Sequence, residues 1–549
     1  MKGAVAALPW TARISLLLLL AVIIVLNACG RRHLPDHPFD RAILLRAAGM
    51  PARAESALEQ AVMAWPLDLE INRLYVINHY ETPPGAGRDD RALEGRYLAL
   101  TADPASADMA HLCLGEIRSL QNRHPEALEL YLRVRNPRLR YLNSGLARTY
   151  YALGDAARAE AHYRLEIALG GDLASAVPEL ARLYLAQGRL DQVSELLADD
   201  RLARYLNAGI RREAALRLGD WGAYARIVFL EPVLYVQLGA ALSALVICGI
   251  WLTFFRRIDV FEQEPLALVL LALVLGALSA EGSLVLGDAL EPVLRPRLPA
   301  GWPGDLVHSV IGTGIVEEVA KFVPLLLVAA LSRHDNEPID LLIYGSLSAL
   351  GFATLENALY FTGYGLDIVF SRFIISTVLH LSMTGSVAYA WGRAQFIRRA
   401  WPAPRVASAL VLAALLHGLF NYFLGRPPQQ LAAVSILIGL GLAIAYGNMI
   451  VNCLNFSPYF RRSQAQGSRL QNLGLLAGTA ALLISIGYLY SHYTYSTEVA
   501  NLKLLSGGAS ALLSVLVVFG SLGEITLMQG TTVPLLQAAW RRRRTSMER

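Results

Sequence analysis

Hydrophobic and polar positions follow two patterns along this chain, and the change comes near residue 230. Residues 30–230 are rich in Arg, Asp, Glu, Ala and Leu, whereas residues 233–528 are mostly long apolar runs. A helix that crosses hydrocarbon needs about 20 mostly apolar residues. Runs of that kind lie near 233–255, 266–290, 306–331, 340–362, 371–391, 406–424, 430–454, 473–490 and 504–526. The pattern predicts an all-α chain, with a soluble helical half followed by a polytopic membrane bundle of about nine spans.

Within the soluble half, "LNSGLARTYYALGDAARAEAHYRLEIAL" (142–169) and "VPELARLYLAQGRLDQVSELLAD" (177–199) align on Gly154 and Gly188, 34 residues apart. Ala147, Tyr150 and Tyr151 precede the first turn, and Ala181 and Tyr184 precede the second. Small and aromatic residues at helical spacing around a glycine turn suit paired antiparallel helices. The period resembles tetratricopeptide repeats. Weaker copies lie at 44–66 and 111–134, and another possible helix pair surrounds 215–228. Such units bury their apolar faces by stacking, and the concave surface they form suits a peptide or protein ligand. The expected fold is thus an α-solenoid over 29–230 and a membrane domain over 231–549, with its motif core at about 305–425. The alternative for the solenoid is a helical domain without a ligand.

The first 28 residues have the layout of an export signal: Lys2 and Arg13 before an apolar core from Ile14 to Leu26. Leu26-Asn27-Ala28-Cys29 resembles a bacterial lipobox, which would make Cys29 a lipidated first residue. An uncleaved anchor with an incidental cysteine is the other reading. Either one places the repeat half outside the cytoplasm. The four cysteines, Cys29, Cys113, Cys248 and Cys453, make no disulfide framework and no CxxC metal motif.

Composition agrees with the pattern, since 54% of the residues are hydrophobic and 17% charged, unusual for a soluble protein. The net charge of +5 is informative as topology. Arg256 and Arg257 follow the first run, Arg333 the third, Arg393, Arg398, Arg399 and Arg405 the fifth, Arg461, Arg462 and Arg469 the seventh, and Arg541 to Arg544 the ninth. Every second loop is basic, which predicts those loops, and the C-terminus, on the cytoplasmic side of a bacterial inner membrane. Arg295, Arg297, Arg372, Arg426 and Lys503 fall on the opposite side. The Arg541–Arg544 run is read as a membrane anchor, not a nucleic-acid site.

Ionisable residues inside the apolar runs are concentrated. The second run has Glu281 and Asp288, the third Glu317, Glu318 and Lys321, the fourth Glu356, the fifth His380 and the sixth His417; Glu524 closes the ninth. A charged side chain in hydrocarbon costs roughly 3 kcal/mol, so intramembrane charges point to function. Glu317 and Lys321 are i,i+4, and Glu318 and Lys321 i,i+3, spacings that put them on one face. Phe352 and Glu356 are i,i+4, with Asn357 adjacent, as are His417 and Asn421; Met383 and Thr384 share the face of His380. These polar edges suit a wet cavity. A carboxylate shielded from water can act as general base near neutral pH and take a proton from water. An amide and an imidazole can stabilise the oxyanion that follows, each worth roughly 3 kcal/mol in a dry site.

"EEVAK" (317–321), "FATLEN" (352–357), "HLSM" (380–383) and "HGLFN" (417–421) occur in order on successive runs. They resemble the PrsW family of intramembrane proteases, related to the CAAX prenyl endopeptidase and bacteriocin-processing superfamily. The likeness covers roughly 235–455. It implies glutamate-dependent peptide hydrolysis in or near the bilayer. Glu317 then matches the water-activating base, with Glu318 and Lys321 organising it. Glu356 falls where the prenyl endopeptidases carry a histidine, a departure that His380 can offset. Phe352 and Asn357 flank Glu356, and His417 and Asn421 match the oxyanion residues. The resemblance implies a membrane-anchored protein substrate such as an anti-sigma factor. No cofactor is expected from the residues, because there is no HExxH pair and the possible donors come from four separate helices. Rival readings are a zinc protease using Glu317, Glu356, His380 and His417 without an HExxH pair, a proton-coupled transporter, and a non-catalytic scaffold. Glu281 and Asp288 belong to no motif.

Overall fold

The computed structural model describes residues 10–83, 88–299, 301–332, 336–425, 431–461, 469–523 and 527–533. Lys2, Arg333, Arg426, Arg462, Glu524 and Arg541 to Arg544, on which part of the topology reading rests, lie outside the described residues. Every regular element among the described residues is helical. The chain divides into two compact units, Leu34–Val233 and a second that joins Met1–His33 to Leu234–Arg549.

Unit Leu34–Val233 is a succession of short helices from Pro38–Ala47 to Trp221–Ala225, most of which pack on the next in the chain. The local chemistry explains the turns. Gly154 and Gly188 take φ of +86° and +69°, a left-handed backbone that an L side chain resists. Gly188 closes Leu173–Gln187 by donating to the carbonyl oxygens of Leu185 and Tyr184. Asp155, next to Gly154, starts the following helix by accepting from Arg158 N at 3.0 Å, which satisfies a donor that the helix start leaves open. Ala147, Tyr150, Ala181 and Tyr184 enter one continuous core with Tyr131, Tyr141 and Tyr163. Tyr151 is exposed, because neighbours on a helix point about 100° apart and Tyr150 takes the inward direction. Buried Glu116 ties three helices together, meeting Arg73 at 3.0 Å and Arg148 at 2.9 Å.

In the membrane unit, seven helices among the described residues are long and apolar enough to cross a bilayer: Leu238–Ile258, Leu266–Arg297, Pro338–Tyr364, Leu366–Ile397, Ala403–Leu424, Ala432–Asn455 and Gly474–Thr494. The protein is a multi-pass membrane protein. Two further runs expected near 306–331 and 504–526 fall on other helices. The first is a continuous helical stretch over 302–331 that carries Asp305, Glu317, Glu318 and Lys321, which lower its apolarity. The second is Thr497–Gly523.

Helix Pro338–Tyr364 is the centre of this unit, with almost nine tenths of its apolar window buried. It packs against Leu266–Leu294, Leu238–Ile258 and Thr377–Gly392. Glycines set the closest of these approaches. A Cβ on Gly276 would come within 2.1 Å of the Ser348 carbonyl oxygen, and one on Gly351 within 2.0 Å of that of Leu273. Small residues that let helix backbones touch are a main source of packing in lipid, where burial gains nothing against the acyl chains. Trp251, Phe254, Phe255, Tyr344, Phe361, Phe373 and Tyr446 fill the core around it.

The first helix, Trp10–Ala28, belongs to the membrane unit and packs along Arg469–Thr494. Its Asn27 accepts from Asn501 Nδ2 at 2.8 Å and donates to Tyr488 OH at 2.9 Å, while Tyr488 OH donates to Asn501 Oδ1 at 2.8 Å. Beyond it, Arg32 N donates to Thr497 Oγ1 at 2.7 Å, and Thr497 N donates to the Arg32 oxygen at 2.9 Å. Cys29 is exposed at the end of this helix.

Candidate active site

The four motif-bearing helices meet because their backbones fit closely at chosen points. Ser309–Ile315, a π-helical stretch, leads directly into Val316–Leu331. An added residue per turn of this kind is frequent at functional sites. The stretch lies against Ala403–Leu424. A Cβ on Gly314 would come within 2.1 Å of the Ala414 oxygen, and one on Gly418 within 2.4 Å of Val310 Cα. Ser309 Oγ donates to the Gly418 oxygen at 2.8 Å. This contact carries His417 to Glu317 and Glu318.

The side chains then form one chain of contacts. Lys321 Nζ lies 2.5 Å from Glu318 Oε1 and 4.0 Å from Glu317 Oε2, so the i,i+3 carboxylate is its partner. Glu318 Oε1 also accepts from His417 Nδ1 at 2.9 Å, and its Oε2 accepts from Thr384 Oγ1 at 3.2 Å. Lys321 donates to His380 Nδ1 at 3.0 Å, and His380 Nε2 meets Glu356 Oε2 at 2.9 Å. Arg372 completes the series, with Nη2 on Glu356 Oε2 at 2.6 Å and Nε on Asn357 Oδ1 at 2.7 Å. Phe352 roofs the cluster, 4.8 Å below the Lys321 ammonium and 5.5 Å from the His380 ring. Asn357 is buried and donates to Thr377 Oγ1 at 3.2 Å. Asn421 is half-buried, one helical turn beyond His417.

Exposure sorts these groups. The side chains of Lys321 and Glu318 are 0% exposed, whereas Glu317 keeps 17% and Glu356 21%. Glu317 Oε2 is buried without a hydrogen-bond partner; His417 Nε2 is 3.5 Å from it. An ionised carboxylate only accepts, so Glu318 requires the proton of His417 on Nδ1, which leaves the Nε2 lone pair of the neutral ring facing Glu317.

The same reasoning bears on a metal. Glu317, His380 and His417 each offer a ligand atom, all within 4.8 Å of one another. Zinc binds a ring nitrogen through its lone pair. A lysine ammonium has no acceptor capacity, so its contact with His380 uses the Nδ1 lone pair and puts the ring proton on Nε2, toward Glu356. His380 therefore has no lone pair for a metal in this arrangement, and Lys321 brings a positive charge to within hydrogen-bond distance of the same ring. Glu317 and His417 alone suit a metal ion, fewer than the three protein ligands of catalytic zinc sites.

Glu317, Glu318, Lys321, Phe352, Glu356, Asn357, His380 and His417 all make contacts within this cluster, and Asn421 lies one turn beyond His417, while Cys29 is on the first helix and no role emerges for Glu281. Arg372 was missed as a site residue, being counted only against the topology rule. Thr384, noted on the His380 face, turns out to hold Glu318.

Comparison with known proteins covers the segment that holds this cluster. Residues 264–449 match the family described as PrsW family intramembrane metalloprotease. Among similar proteins, "Protease PrsW" of Bacillus subtilis (strain 168) is 29% identical over 186 residues, 34% of this chain and 83% of the relative. "Protease PrsW" of Geobacillus kaustophilus (strain HTA426) is 26% identical over 176 residues, 32% of this chain and 74% of the relative. "Protease PrsW" of Clostridioides difficile (strain 630) is 26% identical over 198 residues, covering 34% and 80%. With every residue of the cluster inside the matched segment, residues 264–449 are a PrsW protease-family domain set in a longer chain, and the chain is a protease.

Proposed function

We propose that this protein is an intramembrane endopeptidase in which Glu317 activates the attacking water. The observation that carries the reading is the Glu317 carboxylate oxygen that is buried, unpartnered and faced by the His417 Nε2 lone pair. A water held between the two gives a proton to Glu317 as its oxygen attacks the peptide carbonyl carbon. The carbonyl oxygen becomes an oxyanion, for which the Asn421 amide is the donor one turn from His417. The acid form of Glu317 then passes the proton to the departing nitrogen, directly or through His417, and the C–N bond breaks to give a carboxylic acid and an amine, which then exchange a proton to become carboxylate and ammonium. Glu318, clamped by Lys321, fixes the orientation of His417.

A metal-dependent reading is favoured by the grouping of Glu317, His380 and His417. The Lys321 contact to His380 argues against it, and no step above uses a metal.

The successive helices of Leu34–Val233, with their left-handed glycine turns, support a tetratricopeptide-like solenoid that binds peptide or protein. The alternating basic loops support a bundle of about nine spans with this solenoid outside the cytoplasm and the C-terminus inside. The contacts of Asn27 support a first helix that is kept, with Cys29 unacylated as a lipoprotein terminus. The substrate is a membrane-anchored protein, of which an anti-sigma factor is the type implied by the family resemblance.

The test compares membrane proteomes of cells with the wild-type protein and with Glu317→Gln. A fragment present in the first and lost in the second supports the reading; identical fragment sets overturn it.

A further inference from the structure

We propose that Arg372 is a positioning residue of the hydrolytic centre, clamping Glu356 so that Glu356 in turn orients His380 against Lys321; this rests on the reading of Glu317 as base. Arg372 opens a π-helical turn, Arg372–Ser376, just before Thr377–Gly392. The turn is closed by Thr377, whose Oγ1 donates to the Arg372 oxygen at 2.8 Å. Arg372 and His380 are eight residues apart, a spacing that on a plain α-helix would turn them about 80° from one another. One inserted residue makes the interval act as seven, which brings them to one face. The π turn is thus what aims the guanidinium at the site.

Three contacts hold the guanidinium in one orientation: Glu356 and Asn357, already given, and the face of Tyr360, 4.1 Å from Cζ. Glu356 and Asn357 are adjacent on helix Pro338–Tyr364, so the planar fork of arginine reads two neighbouring side chains at once. A lysine has a point charge and cannot hold both in fixed geometry. Glu356 Oε2 is shared by Arg372 and His380. Removing the guanidinium frees Glu356 to turn from His380, and the imidazole then loses the partner that holds it against Lys321.

Charge gives a second reason. Glu317, Glu318 and Glu356 face Lys321 and Arg372, which leaves one net negative charge when the rings are neutral. Without Arg372 that balance falls by one more unit, in a low-dielectric site where the repulsion is felt by the remaining carboxylates.

The experiment uses full-length protein in detergent and, as probe, a membrane-anchored peptide containing the cleavage point of the Glu317-dependent fragment. Arg372→Gln is expected to lower kcat by about 10- to 100-fold, the scale of a small misplacement of a catalytic group, with KM within about threefold of wild type. Arg372→Lys keeps the charge and the fold and is expected to recover part, not all, of kcat. Wild-type kcat in Arg372→Lys and Arg372→Gln, or a loss confined to KM, overturns the proposal. If Arg372→Gln does not fold, the kcat of Arg372→Lys decides alone: a value equal to wild type overturns it. Glu317→Gln is measured in parallel. Full activity there overturns the base assignment and this proposal together; loss there with unaffected Arg372 variants overturns only this one.

Discussion

The Lys321 ammonium donates to Nδ1 of His380 across 3.0 Å. With Lys321 charged, that contact occupies the Nδ1 lone pair, which argues against His380 as a metal ligand. Peptide cleavage is therefore expected to persist after dialysis against a strong chelator, and the purified protein to hold much less than one zinc per chain. Activity lost to the chelator and restored by zinc alone would put a metal at Glu317 and His417 after all.

Adjacent glutamates should respond differently to the same substitution. Glu317→Gln removes the base from a side chain with no hydrogen-bond partner on Oε2, so cleavage is expected to fall by roughly 100- to 10,000-fold, the span of general-base catalysis, with the melting temperature little changed. Glu318→Gln leaves the fully buried Lys321 ammonium without its charge partner. Breaking a buried pair costs about 3–5 kcal/mol, so this variant should lose both activity and stability. Thermal unfolding in detergent beside a cleavage assay separates the two. Equal behaviour of both variants would mean that the roles assigned to them are wrong.

The motif residues were legible because charges inside apolar runs stand out, and because 3.6-residue spacing puts each motif on one face. Which glutamate pairs with Lys321 was not legible: i,i+3 and i,i+4 are equivalent along one helix. The choice is made by His417 and Thr384, which arrive from other helices. Arg372 escaped because a π turn shifts the register between it and His380, and because a cation near the end of a span reads as a topology signal. In the Leu34–Val233 unit the turn glycines were plain, yet of the pair Tyr150 and Tyr151 only packing shows which faces the core. Asn27 stood out only as part of a lipobox-like stretch; its partners lie more than 460 residues away.

His79 gives the Leu34–Val233 unit a pH-dependent clamp. Burial opposes its charge, but hydrogen bonds to Glu55 at 2.7 Å and Asp90 at 3.0 Å outweigh this and raise its pKa above 6.5. For a group whose pKa rises on folding, the stabilisation is complete below the unfolded value and fades as pH climbs through the folded one. The difference in thermal stability between wild type and His79→Gln is therefore expected to be largest near pH 5 and to shrink toward pH 8, the interval over which histidine titrates. A difference that stays constant across that interval would mean that the ring is held there as a neutral hydrogen-bonding group.

The first helix is expected to remain in the mature protein. Cleavage before Cys29 would remove Asn27 from a closed triangle with Tyr488 and Asn501, and would leave those two groups facing the gap vacated by Trp10–Ala28. Interhelical hydrogen bonds in membranes are worth about 0.6 kcal/mol each on average and up to about 1.7, so Asn27→Leu should lower stability by about 1–2 kcal/mol through the loss of its two contacts. Intact-mass analysis of protein purified from membranes should find residues 14–28 still attached and Cys29 free of diacylglyceryl. A chain that starts at an acylated Cys29 would show that the hydrogen bonds of Asn27 belong only to the precursor, and would replace the first helix by a lipid as the anchor of the N-terminus.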